Sequence, residues 1–379
     1  MSANDIAIPA DTGATLVVNL DAIAENYALL QKTCPQARIG ASVKADAYGL
    51  GLAPVARTLS KAGCHTFFVA TAGEGLTLRG ILPESEIVVL NGPEREQTDL
   101  FAGGALIPTL NSLEQIERWQ QRSHADPSPA YLHVDTGMNR LGLSASDVDT
   151  LIAEPARLNG VTISTLMSHL ACADTPAHPM NAAQLSAFQA ARARLETVTG
   201  ALRASLANSP GVFLGPDYHF DLVRPGAALY GLAPSPDRPN PMKQTIEIHA
   251  KILQLRDVDT PMTVGYGATH QVEKPARIAT VAAGYGDGYP RAAASRTGGS
   301  MHAYIADYKT TLFGRVSMDL ITLDVSDLPD ELAVPGQTVE LLGPHVSPDD
   351  LARSAGTIGY EILTGFGNRL HRLYRGGGD

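Results

Sequence analysis

The sequence predicts an α/β protein built from an N-terminal (β/α)8 TIM-like barrel and a C-terminal, mainly antiparallel β domain. Two rhythms carry that expectation. From about residue 12 to 235, short apolar runs alternate with longer amphipathic ones, which means parallel strands joined by helices. Beyond about residue 240, apolar residues recur at period two between closely spaced glycines and prolines, as antiparallel strands require.

Taken in order, Ile23, Tyr27 and Leu30 share one helical face behind Asp21, an N-cap candidate. Strand-like runs follow at 39–43, 66–70, 87–90, 106–108, 131–134, 162–167, 204–207 and 220–223. Helical candidates lie between most of them, for example 111–121 and 181–198. About eight strand-then-helix units in roughly 225 residues suit a closed barrel. An open doubly wound sheet is the alternative, weakened because the first βα turn has no dinucleotide fingerprint. Later, 246–252 and 322–325 alternate at period two, and a helical pattern returns only at 348–354. The proline-rich stretch 234–241 reads as a linker, which sets the domains at 12–240 and 241–379; residues 1–11 can pack on the second.

A net charge of −10 over 379 residues argues against a general nucleic-acid or anionic-membrane surface, yet leaves room for a small anion in a local basic pocket. Cys34, Cys64 and Cys172 are too few and too scattered for a disulfide framework or a zinc cluster, so reduced thiols and no metal are expected. Residues 1–11 lack the basic run and apolar core of a signal peptide, and no apolar run approaches the ~20 residues of a membrane span. The expectation is a cytoplasmic protein without nucleic-acid or membrane partners.

The most informative segment is Val43-Lys44-Ala45-Asp46-Ala47-Tyr48-Gly49-Leu50-Gly51. An apolar strand, 39–43, delivers a lysine into a glycine-marked loop. Charge is costly inside a core, and an amine at the mouth of an apolar strand suits Schiff-base formation. Alone, such a lysine more often lays its stem on apolar surface and keeps its head in water. On a β/α barrel, however, functional groups gather at the C-terminal strand ends, and phosphates bind after strands seven and eight. Lys44 and Tyr48 then follow strand one, Arg140 strand five, His169 strand six, Asn208 and Ser209 strand seven, and Arg224-Pro225-Gly226 strand eight. Ser209 and the amides near Gly226 suit a phosphate. Singly, His169 reads as a structural histidine, Ser209 as a turn hydroxyl, Arg224 as a surface ion pair and Tyr48 as a rim residue. Their common address at one mouth joins them.

These residues stand in a longer ordered series: the Lys44–Gly51 motif, Met138-Asn139-Arg140-Leu141-Gly142, Ser168-His169-Leu170, Ala207-Asn208-Ser209, Arg224-Pro225-Gly226, Val264-Gly265-Tyr266-Gly267, Gly284-Tyr285-Gly286-Asp287-Gly288-Tyr289, Gly314-Arg315-Val316-Ser317-Met318-Asp319 and Gly359-Tyr360-Glu361. In this order, and over nearly the whole chain, the series resembles the alanine racemases. The resemblance implies a fold-type III pyridoxal-phosphate enzyme that interconverts L- and D-alanine. It also implies a head-to-tail homodimer whose active sites take residues from both subunits. Lys44 would be the Schiff-base lysine and the acid/base group on one face, and Tyr266 of the partner subunit the group on the other. Tyr48, Ser209, the Gly226 region and Tyr360 would hold the phosphate, with Asn208 among the cofactor-binding residues. Arg224 would face the pyridine nitrogen and His169 would lie near the ring. Arg140 and the backbone of Met318 of the partner subunit would hold the substrate carboxylate. Tyr285, Arg291 and Arg315 would line the access path. One departure stands out. Many members carry a lysine two residues before the Asp135 motif, whose carbamate supports the substrate-binding arginine; here His133 stands there and cannot form one. Gly267-Ala268 after Tyr266, and Gly359 where proline is frequent, touch no implied catalytic group.

The implied chemistry needs two bases, because a proton leaves one face of the α-carbon and returns to the other. Free lysine titrates near ~10.4 and tyrosine near ~10, so both need neighbouring cations or desolvation to act at neutral pH. Arginine keeps its protons, so Arg224 would leave the pyridine nitrogen unprotonated, which suits racemisation over transamination. Other readings are a broader racemase acting on serine, a decarboxylase on the same barrel, or a non-catalytic pyridoxal-phosphate-binding protein, which would resemble the barrel alone. A sugar-acting barrel would need paired carboxylates, and Asp46 and Asp135 read instead as turn residues. Tyr266 and Tyr360 would leave little room beside the substrate, which favours alanine with some serine turnover. Synthesis of D-alanine for peptidoglycan precursors and degradation of alanine both fit.

Overall fold

The computed structural model describes residues 8–123, 129–294 and 301–378. Residues 1–7 of the segment expected against the second domain lie outside them. The chain divides into a unit of Ala22–Lys243 and a unit made of the chain up to Asp21 together with Gln244–Gly377.

In the Ala22–Lys243 unit the strands are Arg38–Ile39 continued by Ala41–Ser42, then Thr66–Val69, Glu86–Val89, Ile107–Leu110, Ala130–His133, Ile163–Met167, Arg203–Ser205 and Leu222–Val223. Every pairing among them is parallel. The ring closes through the eighth strand. On one edge the amides of Gly40 and Ser42 donate to the carbonyls of Val223 and Pro225 at 2.9 Å. On the other, Asp221 N donates to Ala204 O at 3.1 Å and Arg224 N to Ala207 O at 2.9 Å. The expected eight-stranded barrel is therefore present. Thr66–Val69, Ile107–Leu110 and Ala130–His133 are buried throughout, as parallel strands covered on both faces should be.

Six strands each send one side chain into a common layer: Phe68, Val88, Ile107, Tyr131, Met167 and Leu222. The first strand breaks at Gly40 for the same reason, since a Cβ there would lie 2.6 Å from the Phe68 ring. The helices between strands begin on side-chain caps. Thr71 and Glu74 form a capping box on Ala72–Ile81, and Ser144 and Asp147 another on Ala145–Ala153. The helix at 181–198 is found as Pro179–Thr199 and that at 111–121 as Leu113–Ser123.

In the second unit six antiparallel strands close on themselves. Ala276–Val281, Ile321–Asp324, Tyr308–Leu312, His302–Ile305, Thr338–Leu342 and Ile246–Val258 follow in ladder order, and Ile246–Val258 pairs again with Ala276–Val281. Its length and its bulges let it serve three neighbours. Ala14–Asn19 lies between this strand, antiparallel, and His371–Arg375, parallel. The sequence rhythm groups residues 12–21 with the barrel, but pairing places that strand here. Pro9 O accepts from Lys251 Nζ at 3.1 Å, so the described part of the leading segment also contacts this unit. Among the described residues no helix is long and apolar enough to cross a membrane, and no group of three metal-ligating side chains could hold an ion.

Candidate active site

The first strand ends at Ser42, and the chain then makes a left-handed turn rather than an open loop. Ala45, Asp46, Ala47 and Tyr48 have φ of 52°, 54°, 53° and 57°. For non-glycine residues this costs about 1–2 kcal/mol each, so the surroundings must enforce it. Val43 O accepts from Ala47 N at 2.9 Å and Ala45 O from Gly49 N at 2.8 Å. The Glu74 carboxylate accepts from Ala45 N at 2.8 Å, and Asp46 Oδ1 from Leu52 N at 2.7 Å. Asp46 is thus a turn residue. Lys44 sits at the head of this turn, half-buried. Burial lowers its pKa, Arg140 lowers it further, and Glu74 opposes both.

The turn carries Tyr48 inward against Tyr230, with ring centroids 4.8 Å apart. The Tyr48 hydroxyl pairs with Ser42 and covers Gly226, where a Cβ would lie 2.4 Å from its oxygen. Beside it, Ser209 Oγ accepts from the amides of Gly226 at 2.9 Å and Ala228 at 3.1 Å. Two donors into one hydroxyl leave its O–H to donate and polarise it. Asn208 is engaged by the turn itself: its Oδ1 accepts from Gly211 N at 3.0 Å and its Nδ2 donates to Leu170 O at 3.3 Å. A buried hydroxyl backed by amides, a phenol and a glycine with no room for a side chain form a donor set that fits a phosphate.

Arg224, 6% exposed, follows the eighth strand. Its Nη1 donates to Ser205 Oγ and its Nη2 to Ser168 O, both at 2.5 Å, and Nη2 lies 3.4 Å from His169 Nδ1. Arginine has donors only, so His169 Nδ1 presents its lone pair and the imidazole is neutral. Burial, then Arg224 and Arg140, hold its pKa well below the usual range. Burial lowers Arg224 itself to about 10, still protonated at neutral pH.

His133 lies at the end of the fifth strand, with Nδ1 2.7 Å from Asn111 Oδ1. The Asn111 amide nitrogen donates to Leu90 O and Thr109 O at 3.1 Å, which fixes its oxygen as the acceptor. His133 therefore carries its proton on Nδ1. Burial, and then Arg224, push its pKa down to about 4. Two residues on, Asp135 shapes the turn to Arg140: its carboxylate accepts from the amides of Gly137, Met138 and Asn139, each at 2.9 Å. Arg140 itself is exposed.

The barrel unit thus brings Lys44, Tyr48, Arg140, His169, Asn208, Ser209, Arg224 and Gly226 to the C-terminal ends of its strands. Tyr266, Tyr285, Arg291, Arg315, Met318 and Tyr360 belong to the other unit, and all are exposed. Arg315 packs on the Tyr266 turn, where a Cβ on Gly267 would meet its Nη1 at 3.4 Å. Residues without a motif also matter. Glu74 could be found only from its capping-box spacing, and Asn111 and Ser205 gave no signal of their contacts with His133 and Arg224.

A closed β/α barrel with a cationic mouth, followed by a closed antiparallel unit, defines a two-domain barrel enzyme. The family profile described as the alanine racemase N-terminal domain matches residues 18–234, and the one described as the alanine racemase C-terminal domain matches 245–374. An alanine racemase of Rhodospirillum rubrum is 49% identical over 367 residues, covering 96% of each chain. A catabolic alanine racemase of Mesorhizobium japonicum is 44% identical over 372 residues, 97% of this chain and 95% of that one. The crystal structure of alanine racemase from Bartonella henselae with covalently bound pyridoxal phosphate superposes with a TM-score of 0.90 at 38% identity, over 96% of this chain and 100% of that one. The chain belongs to the alanine racemase family, as its ordered motifs implied, and is an amino-acid racemase.

Gly226→Ala should displace Tyr48 and abolish retention of a phosphate-bearing cofactor, seen as loss of visible absorbance in a protein that still folds; full retention would refute the cradle. The two depressed imidazoles set a pH window. The unfolded chain protonates both near 6.5, whereas folded His133 stays neutral down to about 4 and His169 is also held well below its ordinary range. The unfolded state binds more protons in that interval, so stability is complete above about pH 6.5. It falls on acidification toward 4, by at most about 1.4 kcal/mol per pH unit for each histidine. Denaturant midpoints between those limits should slope less in His133→Gln than in wild type.

Proposed function

We propose that this protein interconverts L- and D-alanine with pyridoxal 5′-phosphate as its cofactor, as a homodimer with shared active sites. One observation carries the proposal: the phosphate-shaped donor set at Ser209 and Gly226 shares a barrel mouth with a half-buried lysine of lowered pKa. The covalently bound pyridoxal phosphate of the Bartonella henselae relative supports it.

Pyridoxal phosphate, when bound, supplies the electron withdrawal that acidifies the α-carbon proton. Ser209, Tyr48, Tyr360 and the Gly226 amide region hold its phosphate, with Asn208 shaping the turn. Arg224 donates a hydrogen bond to the pyridine nitrogen without giving up its proton. His169, kept neutral, buttresses that guanidinium. Arg140 and the Met318 amide of the partner subunit hold the substrate carboxylate, and their charge and direction fix which bond faces each base. Lys44 Nζ takes or returns the proton on one face, and its lowered pKa makes the neutral amine available. Tyr266 Oη of the partner subunit does the same on the other. Tyr285, Arg291 and Arg315 line the access path. A dimer is supported by the large apolar side chains that the second unit exposes, among them Tyr266 at 69%, Ile358 at 62% and Met318 at 54%. The three free cysteines agree with a cytoplasmic setting.

Circular dichroism should show loss of L-alanine optical activity, and borohydride should fix the cofactor on Lys44; label on any other lysine would unseat that residue. Tyr266→Phe should slow exchange of the α-proton into heavy water about a hundredfold from one enantiomer and leave the other within a few fold. Equal effects would remove Tyr266 from the reaction. Arg224→Glu should raise keto-acid formation during turnover, and an unchanged yield would detach Arg224 from reaction choice.

A further inference from the structure

Arg369 belongs to no sequence motif, yet it ties together two that are 30 residues apart. Its Nε and Nη2 donate to the two oxygens of Asp287 at 2.9 Å each, a planar fork on a carboxylate. Its Nη1 donates to Asp319 Oδ1 at 2.5 Å and its Nη2 to Met318 O at 3.3 Å. Asp287 is itself buried and accepts from Gly284 N at 2.8 Å. The two turns then bond directly: Tyr285 N donates to Ser317 O at 3.0 Å and Gly286 N to Met318 O at 2.8 Å. They touch so closely that a Cβ on Gly284 would lie 2.4 Å from Met318 O, and one on Gly286 would lie 2.8 Å from Arg369 Nη2.

The consequence falls on one amide. Ser317 O and Met318 N–H belong to the same planar peptide, so a carbonyl held by Tyr285 aims that N–H the opposite way. The next peptide is held through Met318 O by Gly286 and Arg369. Among the described residues the Met318 N–H has no hydrogen-bond acceptor. We propose that Arg369 is a positioning residue that locks the Gly284–Asp287 turn to the Ser317–Asp319 turn and thereby aims the Met318 amide at the substrate's carboxylate. This rests on the proposed function for the destination of the amide, though not for the lock itself. Stability is a poor account of the cluster. The Arg369 side chain is 50% exposed and that of Asp319 60% exposed, so that arm of the cluster adds little to folding, and only the fork on Asp287 has a buried partner. A lysine could not replace the fork, because it offers a point charge in place of three directed donors.

The test uses the full-length, cofactor-loaded protein and the variants Arg369→Ala, Arg369→Lys and Asp319→Asn. The last two preserve charge or volume and carry the test should the first fail to fold. KM for L-alanine should rise about tenfold in Arg369→Ala and Arg369→Lys, with kcat within about threefold of wild type, because a misaimed amide weakens carboxylate binding throughout the reaction. Propionate, a carboxylate with no amine to react, should lose affinity by the same factor. Amide hydrogen exchange at Tyr285 and Gly286 should accelerate in all three variants. A purely structural role would lower the active fraction and leave KM and propionate affinity unchanged, and that outcome overturns the proposal. Unchanged exchange at Tyr285 and Gly286 overturns it as well. Wild-type protein that racemises nothing would instead sink the proposed function, while the exchange rates still decide whether Arg369 holds the turns.

Discussion

A guanidinium buried at the barrel's closing strand, with no carboxylate beside it among the described residues, governs the chemistry of the mouth. Arg224 is satisfied by Ser205 Oγ, Ser168 O and His169 Nδ1, all neutral acceptors from strands six and seven. Among the described residues it makes no ion pair. Burying such a charge is costly unless its donors are met, and closure of the barrel brings all three acceptors to it. The field it leaves has two effects. Added to burial, which is the larger cause, it helps keep His169 and His133 neutral, so His169 offers Arg224 a lone pair, His133 donates to Asn111, and neither is a further cation. The uncompensated positive charge also makes the mouth receptive to an anion, and the Ser209 hydroxyl, which accepts from the Gly226 and Ala228 amides, keeps its own O–H to donate.

Much of this arrangement is written in local sequence. The alternation of runs gives the barrel and its strand order, and strand order alone delivers Lys44, Arg140, His169, Ser209 and Arg224 to one end. Boundaries slip by a residue or two: 106–108 is found as Ile107–Leu110, because tertiary pairing and not periodicity ends a strand. Contacts between distant residues are where local reading stops. Nothing in Ala45-Asp46-Ala47-Tyr48 signals positive φ, since these residues favour other conformations and are held there by Glu74 and the backbone around them. The Asn111–His133 bond spans adjacent strands and 22 positions. Arg369 reaches back 82 positions to Asp287. Such pairings carry no periodic trace.

The two units fix their functional groups differently. In the barrel, side chains project from the ends of buried parallel strands and from the turns that follow them. In the antiparallel unit, the groups lie on turns, and rigidity comes from backbones brought together at glycines. A Cβ on Gly284 or Gly288 would collide with main-chain atoms, and one on Gly286 with the Arg369 guanidinium. Side chains such as Tyr285 are left exposed while the peptides beneath them are fixed.

The strand at Ala14–Asn19 has a consequence for biosynthesis. Its neighbours are Ile246–Val258 and His371–Arg375, so a ribosome must translate more than two hundred intervening residues before the first ladder can form, and still more before the second. The barrel can complete itself meanwhile, since its strands all lie within Ala22–Lys243. During that interval the nascent chain carries an apolar, unpaired β-segment ahead of a barrel still being translated. Chaperone capture of nascent chains is therefore expected to concentrate on that segment.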